Sequence, residues 1–329
     1  MMASRYSNTD SSLETVEALI QAGANPDLQN KYGWTALMMA SRYSNTDSSL
    51  ETVEALIRAN TKLDLQATNG YTALMMASSY SKVDSSLETV EILIRARANL
   101  DLQDTDGSTA LILASSSSET DSSLKTVEIL IQADAMIDLQ NIHGCTALMM
   151  ACYHSNTKSS LETVETLIRA GANLNLQTDN GSTALIIAAT LGMNNNSHKV
   201  IDILIQAGAK LDLQNPNGHT ALMMATTTFE DSIEMAPSGF DETYNSLEAV
   251  EILIRAGAKI NLQDKNGETA LIIAIKETDN PIELVKILIQ AGANLDLQTT
   301  TGQTALEYAI RYDIKPFNVV KFLIQAGAS

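Results

Sequence analysis

The chain is poor in aromatic residues, cysteine, proline and positive charge, and each shortage narrows what it can be. It has one Trp, nine Tyr and four Phe in 329 residues. The interior must therefore be built from Leu, Ile, Val, Ala and Met, with thirteen Met as adaptable filler. The two cysteines, Cys145 and Cys152, match neither a disulfide framework nor a zinc-ligand spacing, and free thiols in a reducing compartment are the simplest reading. Lys and Arg number 21 against 39 Asp and Glu, for a net charge of −18. Proteins that grip phosphates need a basic footprint, so much of this surface repels nucleic acid and anionic lipid. No charged-then-apolar leader opens the chain, and apolar runs such as 147–152 fall far short of the ~20 residues that span a bilayer. These shortages predict a cytoplasmic protein with neither a nucleic-acid nor a membrane partner. A hydrophobic share of 45% is that of an ordinary folded chain.

What is present is repetition. Thr-Ala-Leu begins at Thr35, Thr72, Thr109, Thr146, Thr183 and Thr220, each 37 residues after the last, and again at Thr269 and Thr304. A second phrase, Leu-Glu-Thr-Val-Glu-Ala-Leu-Ile, runs in step from Leu13 and Leu50. It recurs in altered form near Leu87, Leu124, Leu161, His198, Leu247, Ile282 and Asn318. A fixed period of this length means a linear array of one supersecondary unit in which each copy touches its neighbours. The fold class expected is an all-α repeat solenoid.

One copy can be read residue by residue. Thr35 is a helix N-cap before Ala36-Leu37-Met38-Met39-Ala40, so a short helix should run from Ala36 to about Tyr43. Ser44 to Ser49 favour a turn, and Ser48 with Glu51 forms a capping-box pattern for a second helix from about Leu50. Leu50, Val53, Leu56 and Ile57 share one face of that helix. Gly closes it in most copies, and Asn60, Arg97 and Asp134 stand in that place in three. Asn-Gly and Asp-Gly pairs at Asn69, Asp106, Asn180, Asn217 and Asn266 predict β-hairpin-like fingers between copies. Gln29, Gln66, Gln103, Gln140, Gln177, Gln214, Gln263 and Gln298 hold one finger position, and a row of amides bonding from copy to copy accounts for them.

Gly-x-Thr-Ala-Leu-x-x-Ala followed by Val-x-x-Leu-Ile-x-Ala-Gly-Ala resembles the ankyrin repeat over essentially the whole chain. Two departures stand out. Ala36 and its equivalents replace the family's Pro. Met38, Met75, Ile112, Met149, Ile186, Met223, Ile272 and Glu307 replace its His, which predicts more apolar packing there. The copies are also longer than the family's ~33 residues. In this they resemble the lengthened ankyrin arrays of giant viruses of amoebae. The resemblance implies one domain, 1–329, of about nine units. These are a partial unit 1–32, then 33–69, 70–106, 107–143, 144–180 and 181–217, then 218–266 with an inserted loop at 226–246, then 267–301 and a capping unit 302–329.

The resemblance also implies a non-catalytic protein-protein interaction scaffold that uses finger tips and the exposed ends of the first helices, which line a concave groove. Carried over, the tip positions are Trp34, Tyr71, Ser108, Cys145, Ser182, His219, Glu268 and Gln303, flanked by Lys31, Tyr32, Asp106 and His143. The groove positions are Arg5, Tyr6, Arg42, Tyr43, Ser79, Tyr80, Ser116, Ser117, Tyr153, His154, Thr190 and Leu191. Tyr6, Tyr43 and Tyr80 recur at one position and should form a column. Trp, Tyr and Arg dominate interface energetics, so the partner-binding candidates are Tyr6, Tyr32, Trp34, Arg42, Tyr43, Tyr71, Tyr80, His143, His154 and His219. The contrary reading is that these are unselected copies of a duplicated unit. Family fingers can also be hydroxylated at positions matching Asn175, Asn261 and the Asp27, Asp64 series, which would make the chain a substrate. A structural array that self-assembles weakly end to end, and an adaptor to host ubiquitin pathways, are two further readings of the same repeats. A monomeric viral adaptor acting on host proteins is the main expectation. The 226–246 insertion is either a functional loop or tolerated drift. The four His show no metal spacing, no Gly-rich loop follows a strand, and no Ser, His and acid are arranged for catalysis. No cofactor, metal or enzymatic activity is expected.

Overall fold

The computed structural model describes residues 10–43, 47–79, 84–117, 121–155, 158–190, 196–227, 242–278, 281–311 and 317–328. It divides into two compact units, Met1–Asn173 and Leu174–Ser329. In the first, the repeats' short first helices are α2 (Ala36–Arg42), α4 (Ala73–Ser79), α6 (Ala110–Ser116) and α8 (Ala147–Tyr153), packed side by side in one row. The longer second helices form a row behind them: α1 (Asp10–Gln21), α3 (Asp47–Arg58), α5 (Asp84–Arg95), α7 (Asp121–Gln132) and α9 (Lys158–Arg169). The second unit repeats the plan. Its first helices are α10 (Ala184–Thr190), α12 (Ala221–Ala225), α14 (Ala270–Glu277) and α16 (Ala305–Arg311). Its second helices are α11 (Ser197–Gln206), α13 (Glu242–Arg255), α15 (Ile282–Gln290) and α17 (Phe317–Gln325).

The threonine cap acts as its position predicts. Thr35 is extended (φ −87°, ψ 172°), and its hydroxyl accepts the Met38 N–H at 3.2 Å. The Thr35 N–H points back at the Met38 sulfur, 3.4 Å away. A thioether thus closes the capping box where a carboxylate usually does, as Glu307 does for Thr304 at 2.8 Å. The residues that replace the family's His are otherwise pure core: Met38, Met75, Ile112, Met149, Ile186, Met223 and Ile272 are all buried. In the second helix Val53 and Leu56 are buried as expected, while Leu50 and Ile57 are half-exposed. Thr52 is also buried, together with its equivalents Thr89, Thr126 and Thr163.

The second helix starts earlier than expected. α3 begins at Asp47, not Leu50, so the Asp-Ser-Ser segment read as turn forms its first turn. Acidic residues are favoured at a helix start, where the partial charge of the backbone is positive. The insertion differs too. Residues 242–246, read as loop, are the opening of α13. Thr226 is buried, with its hydroxyl donated to the Met223 carbonyl. The rest of the insertion, 228–241, lies outside the described residues.

Three rows of bonds run from one repeat to the next. The Gln29 amide donates to the Gly33 carbonyl (2.6 Å) and to the Gln66 carbonyl (2.9 Å), and Gln66, Gln103, Gln177, Gln214 and Gln263 repeat the pattern. The carboxylates of Asp27, Asp64, Asp101, Asp138 and Asp212, and the side-chain oxygens of Asn175 and Asn261, each accept a main-chain N–H of the following repeat. The third row joins neighbouring finger tips, as from Thr68 N–H to the Tyr32 carbonyl at 3.0 Å and from Thr105 N–H to the Asn69 carbonyl at 3.1 Å. Pro216 occupies the donor position of this row in its own finger. It has no N–H to give, and its ring instead fills the space beside Gly181.

The fingers are loops rather than hairpins: no strand occurs among the described residues. The Asn30 N–H bonds the Trp34 carbonyl, the Gly33 N–H returns to the Asn30 carbonyl, and the Asn30 side chain accepts the N–H groups of Tyr32 and Trp34. Asp104, Asn141, Asn215 and Asp264 organise their fingers in the same way. An Asn-Gly hairpin turn needs both residues at positive φ. Gly70 is at +80°, but Asn69 is not among the described residues with positive φ.

Gly70 must also be small, since a Cβ there would lie 2.6 Å from the Asp104 Cα of the next finger. Gly302 has nearly the same φ, +78°, with nothing within 4 Å. The pair separates conformational strain from stacking. Gly70→Ala should cost more than Gly302→Ala by about 2 kcal/mol, an overpacking penalty, measured by urea denaturation. Equal costs would refute the close-approach account. Asn60, Arg97 and Asp134 adopt the left-handed conformation of the helix-ending glycines, at φ 57°, 69° and 64°. Arg97→Gly should therefore gain about 1 kcal/mol in the same assay. Burial holds the Asp104 carboxyl above its ordinary value, against the pull of the hydrogen bonds from Ser108 and Asp106. Its folded form thus favours the proton: that contribution is complete below the unfolded pKa and lost as pH rises through the folded one. Asp104→Asn keeps the acceptor used at Asn30, so it should raise the melting temperature at pH 7 and leave it unchanged at pH 3.

Candidate interaction surface

The finger loop closes between Asn30 and Trp34, so the residue before each Thr stands at the base of its finger, not at the tip. The tip belongs to Lys31 and Tyr32 in the first described finger, both exposed, with the Lys31 ammonium 4.8 Å from the Tyr32 ring centre. His143 is likewise an exposed tip residue, held through its N–H by Asn141. At the finger bases, Trp34, Tyr71, Cys145, Ser182, His219 and Gln303 are half-buried, while Ser108 and Glu268 are buried.

The end of the first helix lies against the finger base. The Arg42 guanidinium, in the last turn of α2, sits 5.0 Å from the Trp34 ring centre and 5.7 Å from that of Tyr43. Stacking of this kind contributes roughly 0.5–1 kcal/mol at an exposed site and holds the planar cation in one orientation. Tyr153 and His154, at the end of α8, meet edge to face at 5.0 Å. Tyr6 and Tyr80 lie outside the described residues, as do Arg5 and Leu191, so of the expected tyrosine column only Tyr43 is described.

In one repeat of the second unit the same two positions are both charged. Glu268, at a finger base, accepts from the Lys276 ammonium at 3.2 Å, and Lys276 stands at the end of α14 as Arg42 stands at the end of α2. Burial pushes the Lys276 pKa down, but the hydrogen bond and charge of Glu268, with the charge of Glu277, outweigh it and raise the pKa above its ordinary value. The buried Tyr308 hydroxyl of the next repeat approaches Glu268 at 3.5 Å. His219 reaches the next finger, where its Nε2 lies 3.2 Å from the buried Asp264 carboxylate. Reading the sequence in single columns missed the Glu268–Lys276 pair. The signal for it is the eight-residue offset that also joins Trp34 to Arg42.

Burial pushes the Cys152 thiol up to about 12, so it stays protonated. Among the described residues no group of three His, Cys, Asp or Glu could hold a metal ion, and no helix is long and apolar enough to cross a membrane. The side-chain oxygens of Asn175 and Asn261, the candidate modification sites, are engaged with the main chain of the following repeat, at 2.9 and 2.7 Å.

Comparison with known proteins agrees with the repeat geometry. The family model for three-copy ankyrin repeats matches residues 1–96, 81–178, 155–237 and 242–329, and a single-repeat model matches 217–265. No curated protein matches the chain. Among solved structures, that of the human ASB11 ankyrin repeat domain superposes with a TM-score of 0.59 at 21% identity. The match covers 79% of this chain and 99% of that one. In all, 528 solved chains match, so the fold by itself selects no partner. With family matches spanning nearly its whole length, a buried repeating frame and interlocked fingers, the chain belongs to the ankyrin-repeat family, whose members are generally non-catalytic interaction modules.

Proposed function

We propose that the chain is a protein-binding scaffold that engages its partner through the finger bases and helix ends of its first unit, with Trp34, Arg42, Tyr43 and Tyr71 at the centre. One observation carries this reading. The frame residues are the same in nearly every repeat and are taken up by core packing or stacking bonds, whereas the Trp34, Arg42 and Tyr43 positions change from repeat to repeat and keep part of their surface open. Large amphipathic side chains of these types supply most of the energy in protein interfaces. The lengthened repeat and its Ser-rich segment support the narrower proposal of a viral adaptor for host proteins. Neither Cys145 nor Cys152 is in a disulfide, which fits a host cytoplasm.

The chain with Trp34→Ala, Tyr43→Ala and Tyr71→Ala combined should lose partners that the unaltered chain captures from host-cell lysate. Its melting temperature should fall by only a few degrees, because none of the three is fully buried. Identical capture by both chains would end the proposal.

A further inference from the structure

Four fingers contain Asn followed by Gly, at Asn69, Asn180, Asn217 and Asn266, and all four asparagines are exposed. This pair is prone to spontaneous cyclisation, because no side chain shields the glycine nitrogen from the asparagine amide carbon. In a folded finger the reaction is opposed at the shared peptide group, which must turn before its nitrogen can reach the side chain. The Gly N–H is held in all four fingers, by the Ala67, Thr178, Asn215 and Asp264 carbonyls at 2.7–3.0 Å. The Asn carbonyl is held in three. Thr105 N–H donates to Asn69 at 3.1 Å, Lys265 N–H to Asn217 at 2.9 Å, and Thr300 N–H to Asn266 at 2.7 Å. At Asn180 the donor position is Pro216, which has no N–H, and no described residue donates to that carbonyl. The side chains differ as well. The Asn180 Oδ1 receives the Thr178 hydroxyl and, at 3.2 Å, the Ser182 N–H. The Asn69 Oδ1 receives only the Tyr71 N–H at 3.3 Å, and those of Asn217 and Asn266 receive no donor among the described residues. Donors on an amide oxygen stabilise the negative charge that builds there when its carbon is attacked. The fifth finger, 178–182, thus holds the peptide least where it activates the amide most.

We infer that Asn180 is the Asn-Gly step at which the folded chain deamidates first. The Gly181 nitrogen attacks the Asn180 amide carbon and bonds to it, the nitrogen's proton passes to solvent, and the side-chain nitrogen leaves as ammonia. Water then opens the resulting ring at either carbonyl, giving aspartate or isoaspartate at this position. Aspartate fits the finger, since Asp106 holds the same place in the third. Isoaspartate does not fit. It lengthens the main chain by a methylene beside Gly181, where even a Cβ would lie 2.3 Å from the Pro216 Cδ and 2.9 Å from the Asn215 Cα. That product pushes the fifth finger off the sixth, so the stack in the second unit loosens there as the protein ages.

The test is to age the full chain in mildly alkaline buffer, digest it, and follow the four Asn-Gly peptides by mass spectrometry with fragmentation that separates aspartate from isoaspartate. The Asn180 peptide should convert about two- to tenfold faster than the other three, which is the worth of one backbone hydrogen bond expressed as a rate. In concentrated urea the four should convert alike. Pro216→Thr supplies the N–H that Thr68, Thr105 and Thr300 bring to the same position, and Thr178→Ala removes the hydroxyl, as at Ala67. Each variant should slow conversion at Asn180 and leave Asn69 unchanged. Equal rates at the four steps of the folded chain, or an Asn180 rate that neither variant alters, would overturn the inference. An Asn180 that leads by the same factor in urea would place the cause in the local sequence and overturn it too. The isoaspartate-containing fraction should melt at a lower temperature than Asn180→Asp, and equal melting would refute the loosening of the stack.

Discussion

Stacking of one finger on the next is the constraint from which the remainder follows. A glutamine amide has two N–H donors, and in Gln29 one closes its own finger while the other holds the carbonyl of Gln66 in the next. The same side chain therefore shapes a loop and fixes the spacing between loops. Once that spacing is set, the finger glycine has no room for a Cβ, since the neighbouring backbone occupies the space where it would sit. The Asp27 row repeats the arrangement on the other side of the loop, with a carboxylate accepting the next repeat's N–H. A repeat by itself could satisfy none of these groups, so each copy folds against its neighbours.

Much of this is legible in the residues themselves. The Gln row, the Thr caps, the burial of Met38 and its equivalents, and the left-handed ends at Asn60, Arg97 and Asp134 all follow from local rules applied at a fixed spacing. Other features depend on competition between rules. Asp47-Ser48-Ser49 suits a turn and also suits the first turn of a helix, and the helix wins because packing already stabilises the apolar face behind it. Asn-Gly suggests a hairpin, but in most fingers the residue two before the Asn position takes control of the loop by accepting two N–H groups at once. Ala67 obscures that role in the sequence, since it has no acceptor to offer and makes the column look degenerate.

The binding positions were legible as positions and only partly as surfaces. Variation among copies marks where the frame makes no demand, which singles out Trp34, Arg42 and Tyr43. It does not say which of these side chains will touch. Trp34 and Arg42 are eight residues apart, but only Arg42 lies in the helix, so no single periodicity relates them. Their contact arises because the finger base sits across from the last turn of the helix it precedes. The tyrosine column drawn from Tyr6, Tyr43 and Tyr80 could be placed in register, yet only Tyr43 falls within the described residues.

That finger-base position also explains how one frame can hold different chemistries. In the first unit it contains an indole under a guanidinium, and in the second a buried carboxylate under an ammonium. Each pair occupies the same slot in its own repeat, and the glutamine bonds of the two repeats are alike. The energetic consequences differ. The Glu268–Lys276 pair turns its charges toward each other, and Tyr308 adds a hydroxyl, so little of that carboxylate is left for a partner. In the Trp34–Arg42 pair the π face orients the guanidinium without neutralising it. The aromatic slot thus sets a cation against the face of a half-buried ring, whereas the ionic slot pairs its charges internally. The proposed recognition therefore falls to Trp34 and Arg42 rather than to the tighter pair at Glu268.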